Sequence, residues 1–186
     1  GIKDVTVLFS APPIWFDGGK AFLHTNFKLG SNGETVFLYS ATQQLLNFLT
    51  FPYTQIDNSY GCYPNGTLPT VFFGSPTPDF SNNGAVPYTG YASDPVFSLP
   101  AGFYTGQQSL VLSTTFPGGQ IRFTTDGSFP KDNSPIYTSP IIIDTTRVVR
   151  ARVYSTAALP SESMTNTYFI NESSTLPVIS LSTTTS

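Results

Sequence analysis

The feature that most constrains this chain is a recurrent two-residue alternation of apolar and polar side chains, broken at short intervals by turn dipeptides. In Val5-Thr6-Val7-Leu8-Phe9 and Thr35-Val36-Phe37-Leu38-Tyr39, every second residue can face a core. Ile121 and Phe123 alternate with Gln120, Arg122 and Thr124, and Val149, Ala151 and Val153 alternate with Arg150 and Arg152. Between the runs stand Asp17-Gly18, Asn32-Gly33, Asn65-Gly66, Asn83-Gly84, Gly118-Gly119 and Asp126-Gly127, which suit tight turns. No long helical period competes with this pattern. It predicts an all-β chain built from two immunoglobulin-like β-sandwich modules.

Thr42 to Leu49 is the one ambiguous stretch. It is too short for a convincing helix and runs into Phe51-Pro52, so it reads as a hairpin turn leading into a strand. Between about Thr77 and Pro100 the prolines cluster and apolar residues are isolated, which predicts a semi-rigid linker. The organisation expected is a first module at 1–83, a linker at 84–94, a second module at 95–170, and a tail or the start of a further domain at 171–186. Residues 182–186, all Ser or Thr, are expected to fray.

Composition narrows the function. Only 10% of the 186 residues are charged, against roughly 25% in an ordinary soluble domain. Eight Lys and Arg and a net charge of −3 lack the basic footprint that nucleic acid requires. No apolar run reaches the length of a membrane helix, so membrane insertion is not expected. With Cys62 as the single cysteine no internal disulfide can form. Gly1 runs straight into strand-like sequence without a leader, as expected of a processed or excised segment.

No catalytic or metal constellation stands out. The carboxylates fall singly, mostly in turns such as Asp17, Asp57, Asp94 and Asp132. Asp126, Ser128, Asp132 and Asn133 miss the EF-hand spacing because Pro130 stands where a ligand belongs. His24 is the only histidine and has no partner at zinc spacing. Cys62 sits in a turn with no histidine motif to activate it, and is expected partly buried. No cofactor is implied.

Aromatic rings are the feature that can carry binding. Trp15 lies beside Asp17-Gly18-Gly19, and Tyr60 and Tyr63 fall in an irregular, Asn-rich stretch, as do Tyr53, Tyr88 and Tyr91. Rings next to Asn and Asp can form a sugar-binding surface, with Trp15, Tyr60 and Tyr63 as candidates. For any single ring, core or interface filling is the preferred reading. Arg147, Arg150 and Arg152 fall on one strand, Arg150 and Arg152 on the same face, and with Arg122 they could form a modest basic patch. The preferred reading is solvated strand residues pairing across the sheet. Asp126, Gly127, Ser128 and Pro130 read as a structural turn: Asp126 accepts backbone N–H groups, Gly127 tolerates positive φ, and Pro130 fixes the exit. Asn65-Gly66-Thr67 and Asn171-Glu172-Ser173 match the N-glycosylation pattern.

Read in order, several motifs carry resemblances. Pro95-Val96-Phe97-Ser98-Leu99-Pro100-Ala101-Gly102-Phe103-Tyr104, then Ile121-Arg122-Phe123-Thr124-Thr125-Asp126-Gly127-Ser128-Phe129-Pro130, Tyr137, Val149-Arg150-Ala151-Arg152, Ser161 and Thr167-Tyr168 resemble the C-terminal Ig-like domain of chitobiases and β-hexosaminidases. Leu23-His24-Thr25-Asn26-Phe27-Lys28-Leu29, Gly33 to Tyr39, Asp57 to Gly61 and Tyr63 to Gly66 resemble the later part of a bacterial lamin-tail domain, with Cys62 where that family often has a basic residue. That resemblance implies an incomplete first sandwich with an exposed apolar face. Both modules followed by Leu176-Pro177-Val178-Ile179-Ser180-Leu181 resemble large surface proteins bearing a spore-coat-H-like kinase domain, which would lie outside this segment. Asp144-Thr145-Thr146 resembles the Asp-Thr-x acceptor for O-glycosylation in Bacteroidetes and marks Thr145. Together these imply a non-catalytic spacer, anchor or assembly module of a secreted or cell-surface bacterial protein, with neighbouring domains or subunits as partners. The alternative is a carbohydrate-binding module, with polysaccharide as partner.

Overall fold

The computed structural model describes residues 29–77 and 80–181, together with the backbone of two strands, β1 (Ile14–Asp17) and β2 (Lys20–Leu23). The described chain is all-β, with a single 3-10 turn at Asn82–Gly84 as its only helical element. Val5 to Phe9, His24, Asp79 and residues 182–186 lie outside the described residues.

β3 (Gly33–Tyr39) and β4 (Leu45–Pro52) form an antiparallel hairpin, so residues 42–49 are a turn and a strand. Gln43 at φ 62° closes the turn, and Ser40 caps it by accepting the Thr42 and Gln44 N–H groups. β5 (Ser59–Cys62), β6 (Thr70–Phe73) and β7 (Pro87–Tyr88) make a three-stranded antiparallel sheet. In this half only Val71, Phe72 and Phe73 are buried apolar residues among those described. On β4, by contrast, seven of eight residues are exposed. The hairpin and the sheet do not close over a shared core.

Residues 84–94 are more structured than their composition implied. Pro87–Tyr88 extends the first sheet, Tyr91 forms a parallel bridge with Leu159, and Ala92 and Pro95 are buried.

The second half is a complete two-layer sandwich. One layer is the sheet β12 (Gln120–Thr124), β14 (Arg147–Tyr154), β15 (Met164–Ile170) and β9 (Gly102–Tyr104), in that order, with β9 parallel to β15. Facing it are two ribbons: β10 (Gln108–Leu110) with β13 (Ile141–Ile143), and β8 (Val96–Phe97) with β11 (Leu112–Ser113). The two-residue period sends Ile121, Val149, Ala151, Val153, Tyr168 and Ile170 inward from the sheet. They meet Leu110, Leu112, Ile141 and Ile143 from the ribbons. Beyond β15 the chain folds back, and Ser180 Oγ lies 2.6 Å from Thr167 Oγ1.

Candidate functional site

Three surfaces gather the polar and aromatic residues that could act. The first is the turn at 124–130. Asp126 Oδ1 accepts the Ser128 N–H at 3.0 Å and the Ser128 hydroxyl at 2.6 Å, which holds the Asp126 carboxyl below the usual carboxylate range. Gly127 sits at φ 81°, the left-handed region where a side chain is strained, and its N–H donates to Val148 O. Pro130 is buried, and its carbonyl accepts the Tyr154 hydroxyl at 2.7 Å. Asp126→Ala is expected to cost about 1 kcal/mol in denaturant unfolding. Asp126→Asn, which keeps an Oδ1 acceptor, should cost clearly less.

The turn has a purpose that its motif does not show: it lays Phe129 against two arginines. The Arg150 and Arg152 guanidinium carbons lie 5.4 and 5.2 Å from the Phe129 ring centre. Each arginine on this face also donates to a backbone carbonyl: Arg122 to Ser134, Arg150 to Gly127 and Arg152 to Ser161. The expectation of solvated arginines is therefore corrected. They do share one sheet face, but Arg150 is 4% exposed, because flat guanidinium groups stack on the ring while their edges satisfy loop carbonyls.

The second surface is the junction between the two halves. Gln55, in the loop after β4, reaches across it with three hydrogen bonds. Its N–H donates to Tyr91 Oη at 3.0 Å, its Nε2 donates to Pro160 O at 3.2 Å, and its Oε1 accepts from Arg152 Nη2 at 2.8 Å. Tyr53 donates its hydroxyl to Glu162, whose own N–H donates to Asp94. Phe72 meets Tyr91 edge-on at 5.0 Å. Ser161, fully buried, ties the far side by accepting the Val153 N–H at 2.9 Å.

The junction predicts a pH effect. The hydrogen bond to Glu162, then burial, push Tyr53 up from 10.0 to about 12, and burial raises Tyr91. A raised phenol favours folding below the unfolded pKa and loses that contribution as pH rises through the folded one. Between pH 10 and about 12 the wild type is therefore expected to lose more stability than Tyr53→Phe, as measured by denaturant unfolding at stepped pH. Parallel curves for the two proteins would remove Tyr53 from the junction.

The third surface is an open groove of about 1150 Å³ between the β3–β4 hairpin and β5, lined among others by Val36, Leu38, Phe48, Leu49, Tyr60 and Cys62.

Tyr60 and Tyr63 do not form a shared stacking platform. Tyr60 packs edge-on to Phe72 at 4.8 Å and its hydroxyl lies 2.7 Å from Thr70 Oγ1, while Tyr63 lies 6.2 Å from Phe73. Trp15 falls on β1, where only the backbone is described, so its side chain lies outside the description. Thr145 is exposed, with its hydroxyl 3.4 Å from Asp144 Oδ1. Asn65 is exposed, and Asn171 is occupied in accepting the Gly106 N–H at 2.7 Å. Cys62 is half-buried. Among the described residues no group of three or more His, Cys, Asp or Glu is placed to hold a metal ion. No described helix is long and apolar enough to cross a membrane. The residues that sequence reasoning missed are Gln55 and Phe129. A lone loop glutamine carries no signal in sequence, whereas Phe129 is visible only as one member of the turn motif.

No curated protein and no solved structure matches the chain. Residues 99–166, the body of the second sandwich, match the family model of the chitobiase/beta-hexosaminidase C-terminal domain, an Ig-like domain associated with sugar-active enzymes.

Proposed function

We propose that this chain is a non-catalytic spacer and anchor within a larger secreted or cell-surface bacterial protein, holding neighbouring domains or subunits at a fixed orientation. The observation that carries this reading is the junction. Gln55, Tyr53 and Phe72 of the first half are fastened to Arg152, Glu162 and Tyr91 of the second by hydrogen bonds and ring contacts. A flexible tether needs none of these, and a rigid spacer needs them all. The lamin-tail-like character of residues 3–83, and a kinase-like domain elsewhere in the same polypeptide, belong to the same proposal. Small-angle scattering on the full chain tests it. The wild type should fit one rigid shape, and the double variant Gln55→Ala/Arg152→Ala should broaden the distance distribution. An equally broad wild type, or hydrolase, transferase or kinase turnover by the purified chain, would overturn the proposal.

The family match of residues 99–166 favours a second reading, a carbohydrate-binding module that serves a sugar-active enzyme. A glycan array discriminates: saturable binding lost in Trp15→Ala, Tyr60→Ala or Tyr63→Ala supports it, and no binding to any polysaccharide removes it.

A further inference from the structure

We infer that the outer face of the second sandwich carries a subsite for one unit of a neutral glycan, between the Phe103–Phe169 ring pair and the segment that folds back after β15. The assignment rests on the carbohydrate-binding reading and moves its site away from Trp15, Tyr60 and Tyr63.

The strand register builds the pit. On β15 Tyr168 and Ile170 point into the core, so Thr165, Thr167 and Phe169 stand on the opposite face. Phe103 of β9 is the register partner of Phe169, and the two rings stack with centres 4.6 Å apart and planes 17° from parallel. Ala101, two residues before Phe103, adds no bulk on the β9 side. The returning chain supplies the other wall with Val178 and Ser180, and Ser180 Oγ lies 2.6 Å from Thr167 Oγ1. The space they leave is about 330 Å³, at the small end of the roughly 300–1,000 Å³ of small-ligand sites. It suits one ring-sized unit.

The lining selects the chemistry. None of the residues around the pit carries a formal charge. Arg150, the register partner of Thr165 on the same face, is 4% exposed and donates to Gly127 O, so its charge is not offered there. A charged ligand would give up its water without gaining a counter-ion. A wholly apolar one would cover hydroxyls and give them no partner. Thr165 is half-buried, and its hydroxyl takes no partner among the described residues. Thr167 and Ser180 use one proton between them and leave the second to donate elsewhere. Phe103 meets Phe169 on one face yet is 45% exposed, so ring surface remains open. A neutral sugar answers both halves of this lining, with an apolar C–H face for the ring and hydroxyls for Thr165 and Ser180.

The test uses the full chain on a glycan array carrying neutral oligosaccharides of glucose, mannose and galactose beside uronic-acid and sulfated chains. Titration calorimetry with the best neutral oligosaccharide then reads the variants. Phe103→Ala is expected to weaken Kd about tenfold or more. Phe103→Leu, which keeps apolar bulk without a flat face, should weaken it comparably. Thr165→Val keeps the side-chain shape and removes the hydroxyl, and should cost about fivefold. The unfolding transition of the second sandwich serves as the folding control and should hold in Thr165→Val. Neutral-glycan binding that survives Phe103→Ala overturns this subsite while the carbohydrate reading stands. Binding confined to charged chains overturns it as well. No binding to any glycan overturns the subsite and the reading together.

Discussion

Tyr168→Ala is expected to lower the stability of the second sandwich by about 4 kcal/mol, the largest single effect in the molecule. Tyr168 is completely buried on β15 and packs on Tyr104, with ring centres 6.0 Å apart. Its hydroxyl donates to Leu99 O at 2.9 Å, and burial raises its pKa. Truncation removes a large apolar ring and leaves a cavity that the close-packed sheet can only partly collapse. Tyr168→Phe separates the two contributions. It keeps the ring, and Leu99 O retains the Asn166 Nδ2 donor at 3.2 Å, so the cost should fall to about 1 kcal/mol. Denaturant unfolding at constant m-value reads both. A Tyr168→Ala protein within 1 kcal/mol of wild type would show that the β9–β15 side contributes little to this core.

Arg152→Ala is expected to cost about 3 kcal/mol and to loosen the junction as well. Its Nε donates to Ser161 O at 2.6 Å and its Nη2 to Gln55 Oε1 at 2.8 Å, while its guanidinium carbon lies 5.2 Å from the Phe129 ring centre and 5.6 Å from that of Tyr154. Charge-assisted hydrogen bonds contribute roughly 1.5–3 kcal/mol each, and cation–π contacts add to them. Lysine should not rescue the loss, since an ammonium cannot present two donors in a fixed fork while stacking on rings. Gln55→Ala alone should cost less, about 1 kcal/mol, because its backbone N–H bond to Tyr91 survives and no ring contact is lost. A double-mutant cycle between Arg152 and Gln55 should return a coupling of about 0.5–2 kcal/mol. Additive effects would mean that the two side chains do not hold each other.

The second sandwich was largely legible in the sequence because its physics is local. Ile121 and Phe123, or Val149, Ala151 and Val153, each sit two residues apart, and a pleated strand turns that spacing directly into one buried face. The turn at Asp126-Gly127 was legible for the same reason, since both of its requirements, an acceptor and a positive φ, lie within three residues. Arg150 was misread because its burial depends on Phe129, brought over it by a turn some twenty residues earlier in sequence. Gln55 was invisible for a similar reason: its three partners, Tyr91, Arg152 and Pro160, lie 36 to 105 residues away. The strands of the first half could be read from the residues, but an exposed apolar face was expected only through the resemblance, because apolar β4 residues look identical in sequence whether covered or open.

One strand pairing has a mechanical consequence. β9, which follows the two-residue entrance strand β8, runs parallel to β15, the last strand of the second sandwich, with Gly102 opposite Tyr168 and Tyr104 opposite Ile170. Pulling the chain from both sides of this module therefore slides the two strands past each other, loading their rungs together instead of peeling them one by one. Asn171 adds two more rungs, donating its N–H to Tyr104 O and accepting from Gly106. Stretched in a single-molecule instrument, where rupture reports the unfolding rate, the intact module should yield at a higher force than Asn171→Ala.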